Sequence, residues 1–210
     1  MSTKDAEIFS FFPKVFFKKN LKIKNINFKK ILKEIKFTPA SELQPNTSAS
    51  SVDKYVLDNN ISLKDVKLKI IEEFNNFKNN ILRYSNNEFK LTTSWFTEAK
   101  PHQESLVHRH KNCFYSGVYY IDVPKESAKI NFFNYTDSDI YLVPEQSNAF
   151  NSAGVDLIVN TGDLIFFPSN IYHKIPLNES KHKRYSLAFN FFPTGVLGQG
   201  DSQLIIWHIK

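Results

Sequence analysis

Three histidines, one arginine and one serine in this chain have the types and spacing to hold a metal ion and a carboxylate side by side. His108 and His110, in "LVHRHKNCFYSGVYYIDVP", stand two residues apart. On an extended strand such a pair shares one face. His173 lies far downstream in "FPSNIYHKIPLNESKHKRYSLAFNF". Arg184 follows it by eleven residues, and Ser186 completes an Arg-x-Ser triplet. Imidazole suits iron and its first-row neighbours, and two ligands from one strand can meet a third from a distant one while other coordination positions stay open. A buried guanidinium forks onto a carboxylate through parallel hydrogen bonds. A neighbouring hydroxyl finishes that carboxylate's hydrogen bonding.

The elements that must position these residues are mostly strands. After Tyr84, short β-rich runs alternate with turns at 88–98, 104–110, 114–122, 128–134, 140–143, 155–159, 163–167, 171–176, 183–192 and 203–209. No helical pattern interrupts them, so the expectation is an antiparallel sandwich or barrel and not alternating βα units. "RYSLAFNFF" sorts by period two: Arg184, Ser186, Ala188 and Asn190 on one face, Tyr185, Leu187, Phe189 and Phe191 on the other. An inner face carrying Arg and Asn suits the mouth of a barrel that holds an anion. Gly162-Asp163 before "LIFFP" reads as a turn into a strand.

The first part of the chain reads differently. Residues 6–19 form an aromatic-rich extended lead-in, interrupted by Pro13. Phe28, Ile31, Leu32 and Ile35 fall at helical spacing, with lysines on the opposite face. Residues 38–51, rich in Ser, Thr and Pro, read as a loop. A longer helix follows, with Ser62 as the expected N-cap and Asp65 three residues on. Leu63, Val66, Ile70, Ile71, Phe74, Phe77 and Ile81 make its apolar stripe. Both helices are expected to support the outside of a sheet. The organisation expected is one structural domain, with residues 1–90 as a helical and extended support segment and 91–210 as a β core.

Composition narrows the class. A hydrophobic fraction of 41% and an aromatic fraction of 15% belong to a folded chain. The net charge of +6 is local: residues 1–36 hold ten Lys and three acids, and the remainder is close to neutral. That basic segment contains no arginine and no nucleic-acid motif, so it reads as a solvated face and no nucleic-acid partner is expected. Cys113 is the only cysteine, which excludes an internal disulfide and fits a reducing compartment. The N-terminus makes a poor signal peptide, and no apolar run approaches the roughly 18 residues of a membrane helix. A soluble cytoplasmic protein is expected. A homodimer through an exposed edge strand or the N-terminal segment is compatible with this pattern.

The pattern His-x-His, a long gap, then His-x10-Arg-x-Ser resembles the 2-oxoglutarate/Fe(II)-dependent oxygenases. More narrowly, "HRHKNCFYSGVYYIDVP", "GDLIFFPSNIYHKI" and "RYSLAFNF" are similar to a small branch of such oxygenases in bacteria and phages, over residues 95–192. The resemblance implies a mainly β fold, a double-stranded β-helix (a jelly roll, as in cupins), with the N-terminal α-helices in support. It implies Fe(II), 2-oxoglutarate and O2, with a substrate hydroxylated as succinate and CO2 are released. On this resemblance His108, His110 and His173 bind the metal, and Arg184 and Ser186 grip the distal carboxylate of 2-oxoglutarate. Tyr120 and Asn131 are added as inner-face contacts for the oxo acid. The substrate is not named by the sequence: an inner face of aromatic and polar residues suits a peptide side chain, a nucleotide or a small metabolite alike.

His110 departs from the superfamily, which mostly has Asp or Glu there; a neutral imidazole leaves the site one negative charge short. A second pair, His102-x-Glu104, restores a carboxylate and also shares a strand face. His108/His110 is preferred because it adjoins the "SGVYYI" strand. Other readings stand beside this one. A cupin-type metal protein without 2-oxoglutarate, an isomerase or a thiol dioxygenase, also fits His108-x-His110, Gly117, Gly162, Pro168 and His173. Arg184-x-Ser186 is what such a protein has no reason to keep. A non-catalytic binding barrel is the third reading. His182 and His208 read as surface residues, and Cys113 as a thiol without a metal role, since no Cys or His partner sits at zinc spacing.

Overall fold

Two antiparallel sheets of unequal size face each other, and the apolar faces of their strands decide which side each presents. The structure, a computed structural model, describes residues 7, 10–21, 23–44, 46–84, 86–134, 142–148 and 150–207. His208 and residues 140–141 of the expected 140–143 strand lie outside the described residues. The strands are β1 (Phe17–Asn20), β2 (Phe37–Pro39), β3 (Ala49–Ser51), β4 (Glu88–Ala99), β5 (Tyr115–Asp122), β6 (Lys129–Phe133), β7 (Gly154–Ile158), β8 (Asp163–Pro168), β9 (Tyr172–Lys174), β10 (Arg184–Leu197) and β11 (Leu204–Ile206). The large sheet runs β1-β8-β5-β10-β4-β3-β2, with β11 paired to β10. The small sheet runs β7-β6-β9. The mainly β, jelly-roll architecture expected from the sequence is the one observed.

The central strands of the large sheet are buried on both faces, which is why they read as nearly continuous apolar runs. Tyr115, Tyr119, Leu164, Phe166, Leu187, Phe189 and Phe191 point to one side. There they meet α1 (Phe28–Glu34), α2 (Val56–Asn59) and α3 (Lys64–Phe77) through Ile31, Val56, Leu57, Val66, Ile70, Phe74 and Phe77. Phe74 stacks on Phe191 at 3.9 Å between ring centres. Fully burying such rings stabilises by roughly 1.5–3 kcal/mol each. The other side carries Val118, Tyr120, Ile165, Phe167 and Ala188, packed against Ile130 and Phe132 of the small sheet. Gly117 lets the sheet and its aromatic cover approach, since a Cβ there would lie 2.3 Å from the Phe189 ring and 2.9 Å from the Ile165 carbonyl oxygen.

Four local expectations need correction. Residues 38–51 are not all loop: β2 and β3 form a hairpin that extends the large sheet at its β4 edge. Ser62 does not cap α3. The Asn60 side chain instead accepts a hydrogen bond from the Ser62 backbone N–H, capping a 3-10 turn two residues earlier than expected. Ile81 leaves the apolar stripe and is exposed, because the helix passes into a wider π turn over Lys78–Leu82 that rotates the later side chains. Residues 104–110 form no continuous strand; they meet β9 at a single bridge, His108 opposite His173, and Thr47 at another, from Glu104. No helix among the described residues is long and apolar enough to cross a membrane.

Candidate metal and carboxylate site

The His108–His173 bridge closes the gap between distant sequence segments. The His108 N–H donates to the His173 carbonyl at 3.0 Å, and the His173 N–H donates back at 2.8 Å. The His110 N–H donates to the Ser169 carbonyl at 2.9 Å, which brings the second histidine over the same strand end. The ring centres lie 4.4 Å (His108–His173), 5.1 Å (His110–His173) and 5.3 Å (His108–His110) apart. One ligand nitrogen from each ring falls within 4.8 Å of the other two. His173 is buried, His110 half-buried, and His108 exposed at the mouth.

Each imidazole is held at its Nδ1. His108 Nδ1 lies 2.8 Å from the Leu106 carbonyl, His173 Nδ1 lies 3.0 Å from the Ile171 carbonyl, and His110 Nδ1 lies 2.7 Å from Asn190 Oδ1. A carbonyl oxygen only accepts, so each Nδ1 carries the proton and each Nε2 keeps its lone pair for a metal. Burial, with Asn190 opposing it and His108 adding to it, brings the His110 pKa down to about 4. Burial together with the two neighbouring imidazoles takes His173 down to about 3. Both rings are therefore neutral ligands at ordinary pH. The donor set fits a divalent first-row metal that accepts imidazole.

The carboxylate half lies in the same cavity, of about 290 Å³, which is lined by the three histidines and by Arg184 and Ser186. No acid lines it among the described residues. Arg184 is 2% exposed. Its Nη1 donates to the Ser127 and Lys129 carbonyls at 2.6 and 2.8 Å, and its guanidinium lies 5.2 Å from the Tyr120 ring centre. Its Nη2, the Tyr120 hydroxyl and the Ser127 hydroxyl are buried with no hydrogen-bond partner among the described residues. Native structures rarely leave such groups unmatched, so the orphaned Nη2 fits an acceptor that a ligand brings. Ser186 Oγ lies 2.5 Å from Thr97 Oγ1, its partner across the β10–β4 ladder. The β10–β5 register slips between Tyr185 and Ser186, an irregularity of the kind that re-aims side chains beside functional sites.

Six of the seven candidate residues thus surround or adjoin this cavity. Asn131 does not. Ile130 and Phe132 take the inward positions of β6, so Asn131 faces outward and donates to Asp156. The His102/Glu104 pair is not gathered there either. His102 is exposed, and Glu104 is 3.0 Å from Lys174 in an ion pair outside the cavity. Sequence reasoning missed Trp95 and Thr97 of β4, which line the cavity, and Ala49 and Ser50 of β3, which close one wall. Cys113 is a free thiol that bonds the Lys111 carbonyl.

Comparisons with known proteins bear on the same region. The family model described as "Putative 2OG-Fe(II) oxygenase" matches residues 93–190, a span containing all three histidines, Arg184 and Ser186. No curated protein matches the sequence. Among solved structures, HygX from Streptomyces hygroscopicus, with nickel, 2-oxoglutarate and hygromycin B bound, superposes with a TM-score of 0.56 at 11% identity, over 80% of this chain and 77% of that one. A prolyl-4-hydroxylase from Pseudomonas putida gives 0.52 at 16% identity, over 79% and 80%. The carbocyclase SnoK from nogalamycin biosynthesis gives 0.57 at 12%, over 86% and 81%. At these identities the likeness speaks for the fold.

Proposed function

We propose, on the premise that residues 93–190 are a 2OG-Fe(II) oxygenase domain, that this chain is a 2-oxoglutarate-dependent dioxygenase that hydroxylates a small-molecule or peptide substrate. The observation that carries the reading is the pairing, in one cavity, of three Nε2-directed histidines with a buried arginine whose Nη2 lacks a partner. When bound, iron supplies O2 activation and 2-oxoglutarate supplies two electrons, leaving as succinate and CO2 while one oxygen atom enters a substrate C–H bond. The protein's own residues bind and orient. His108, His110 and His173 hold the metal on one side. Arg184 Nη2 takes the distal carboxylate, and Ser186 and the Tyr120 hydroxyl lie beside it as further donors. Val118, Ile130, Ile175 and Ala188 give the cavity an apolar wall that limits water. Because no acid among the described residues lines the cavity, the negative charge facing Arg184 and the metal comes from the oxo acid.

A cupin-type protein without the oxo acid leaves Arg184 Nη2 without an acceptor, and the oxygenase reading is preferred for that reason. Anaerobic addition of Fe(II) and 2-oxoglutarate separates the two. A weak visible charge-transfer band that vanishes in His173→Ala supports the oxygenase reading. Metal binding by direct assay with no band refutes it and favours the cupin reading.

A further inference from the structure

Two of the three histidines are oriented by their own backbone, through the carbonyl two residues earlier, whereas His110 depends on a side chain from elsewhere. That side chain is Asn190. Its register partners on either side are Ser116 of β5 and Thr93 of β4. Both partners bond it: Ser116 Oγ donates to Oδ1 at 2.7 Å, and Nδ2 donates to Thr93 Oγ1 at 2.9 Å. Ser116 is in turn 2.8 Å from Ser169 Oγ, on the residue whose carbonyl receives the His110 N–H. The β10–β4 register slips immediately after Asn190, with Phe191 opposite Leu91. A bulge at that point fixes where the Asn190 side chain is aimed.

We infer that Asn190 is a positioning residue whose Oδ1 holds His110 in the Nδ1–H tautomer, so that a neutral histidine can serve as the metal ligand at this position. The inference rests on the metal-centre reading above. The amide has two orientations, and only one works. With Oδ1 toward His110, the ring proton sits on Nδ1 and Nε2 is free. Reversed, Nδ2 would donate to Nδ1, the proton would move to Nε2, and the ligand would be lost. The Ser116 and Thr93 bonds, with the bulge beside them, hold the amide in place beside His110, and a metal on Nε2 selects the orientation that turns Oδ1 toward Nδ1. Partners of this kind, which bond the far nitrogen of a ligating histidine, commonly contribute 10- to 100-fold to metal affinity.

The test needs no 2-oxoglutarate. Co(II) affinity is measured by calorimetry, and histidine ring 15N and Nδ1–H resonances are recorded with Zn(II) bound, for the wild-type chain, Asn190→Leu and Asn190→Asp. Asn190→Leu is expected to weaken Co(II) about 10- to 100-fold and to abolish the His110 Nδ1–H resonance. The His108 and His173 resonances persist, because backbone carbonyls hold them, and they also report that the site is folded. Asn190→Asp still accepts from Nδ1, so it is expected to retain affinity and to shift the His110 Nδ1–H resonance. Asn190→Leu binding within twofold of wild type would overturn the inference. So would equal losses in both variants with the His110 resonance unmoved. If Asn190→Leu does not fold, an unmoved His110 resonance in Asn190→Asp has the same force. A wild-type chain that binds neither metal would instead sink the metal-centre reading itself.

Discussion

Replacing Arg184 separates the two halves of the site. Its Nη1 is committed to the Ser127 and Lys129 carbonyls, and Nη2 is left for a ligand. In Arg184→Met a bound carboxylate would stay buried without its cation. Leaving one partner of a buried pair uncompensated costs about 3–5 kcal/mol. At about 1.4 kcal/mol per tenfold, the dissociation constant of the oxo acid should rise by roughly two to three and a half powers of ten. Arg184→Lys keeps the charge but loses the planar spread of donors that serves the two carbonyls and the ligand together, and the loss of one charge-assisted bond, about 1.5–3 kcal/mol, predicts roughly a tenfold to hundredfold effect. The assay is calorimetric titration of oxalylglycine, an unreactive analogue of 2-oxoglutarate, into Ni(II)-loaded protein. Ni(II) affinity itself should be unchanged, because none of the hydrogen bonds that orient the histidines involves Arg184. Folded Arg184→Met binding the analogue within threefold of wild type would refute the assignment of Arg184.

Three further outcomes follow from the same structure. Metal at about 100 times its dissociation constant should stabilise the fold by about 2.7 kcal/mol, seen as a rise in Tm that EDTA reverses; a rise of the same size in His173→Ala would show that the metal binds elsewhere. Phe74→Ala removes the ring stacked on Phe191 and should cost about 3–5 kcal/mol by denaturant unfolding; less than 1 kcal/mol would mean that the helices contribute little to the core. Glu73 is buried on α3, where desolvation raises its pKa but hydrogen bonds from Lys19 and Lys69 bring it below the ordinary carboxylate value. Its stabilising contribution is therefore complete above about pH 4.5 and disappears as pH falls through the lower folded value. Glu73→Gln should lose on the order of 1–2 kcal/mol at pH 7 and show a flatter acid limb; an unchanged limb would refute this role.

What the sequence made legible, and what it hid, follows from where the information resides. β10 was readable because both of its faces are buried against different chemistry. Arg184, Ser186 and Ala188 line the cavity and Asn190 reaches His110, whereas Leu187, Phe189 and Phe191 meet the helices. Alternation alone sorts such a strand. β6, "KINFF", carries the same alternation, Lys129 and Asn131 against Ile130 and Phe132, and placing Asn131 inward sets the polar face toward the core. In the fold apolar burial decides, and Ile130 and Phe132 take the inside. The tethers on Arg184 were invisible for a different reason: they are backbone carbonyls, which every residue carries. The β2–β3 hairpin was hidden by composition, because three-residue strands made mostly of Ser, Thr, Ala and Pro look like the loops around them.

The two faces of the large sheet explain how the fold tolerates a charged cavity. The helix-covered face holds the larger apolar cluster, in which every buried member is a hydrocarbon or a tyrosine. The face toward the small sheet holds a smaller cluster, and beside it lie an orphaned guanidinium nitrogen and an orphaned tyrosine hydroxyl. Unmatched buried donors each cost about 1–3 kcal/mol, a large fraction of the margin of a domain of this size. The aromatic packing of Phe74, Phe166, Phe189 and Phe191 offsets that cost across a sheet that both faces share. A ligand that satisfies Arg184 Nη2 removes that cost where it arises, so binding energy and folding energy are linked through β10, which carries Arg184 toward the cavity and Phe189 and Phe191 toward the helices.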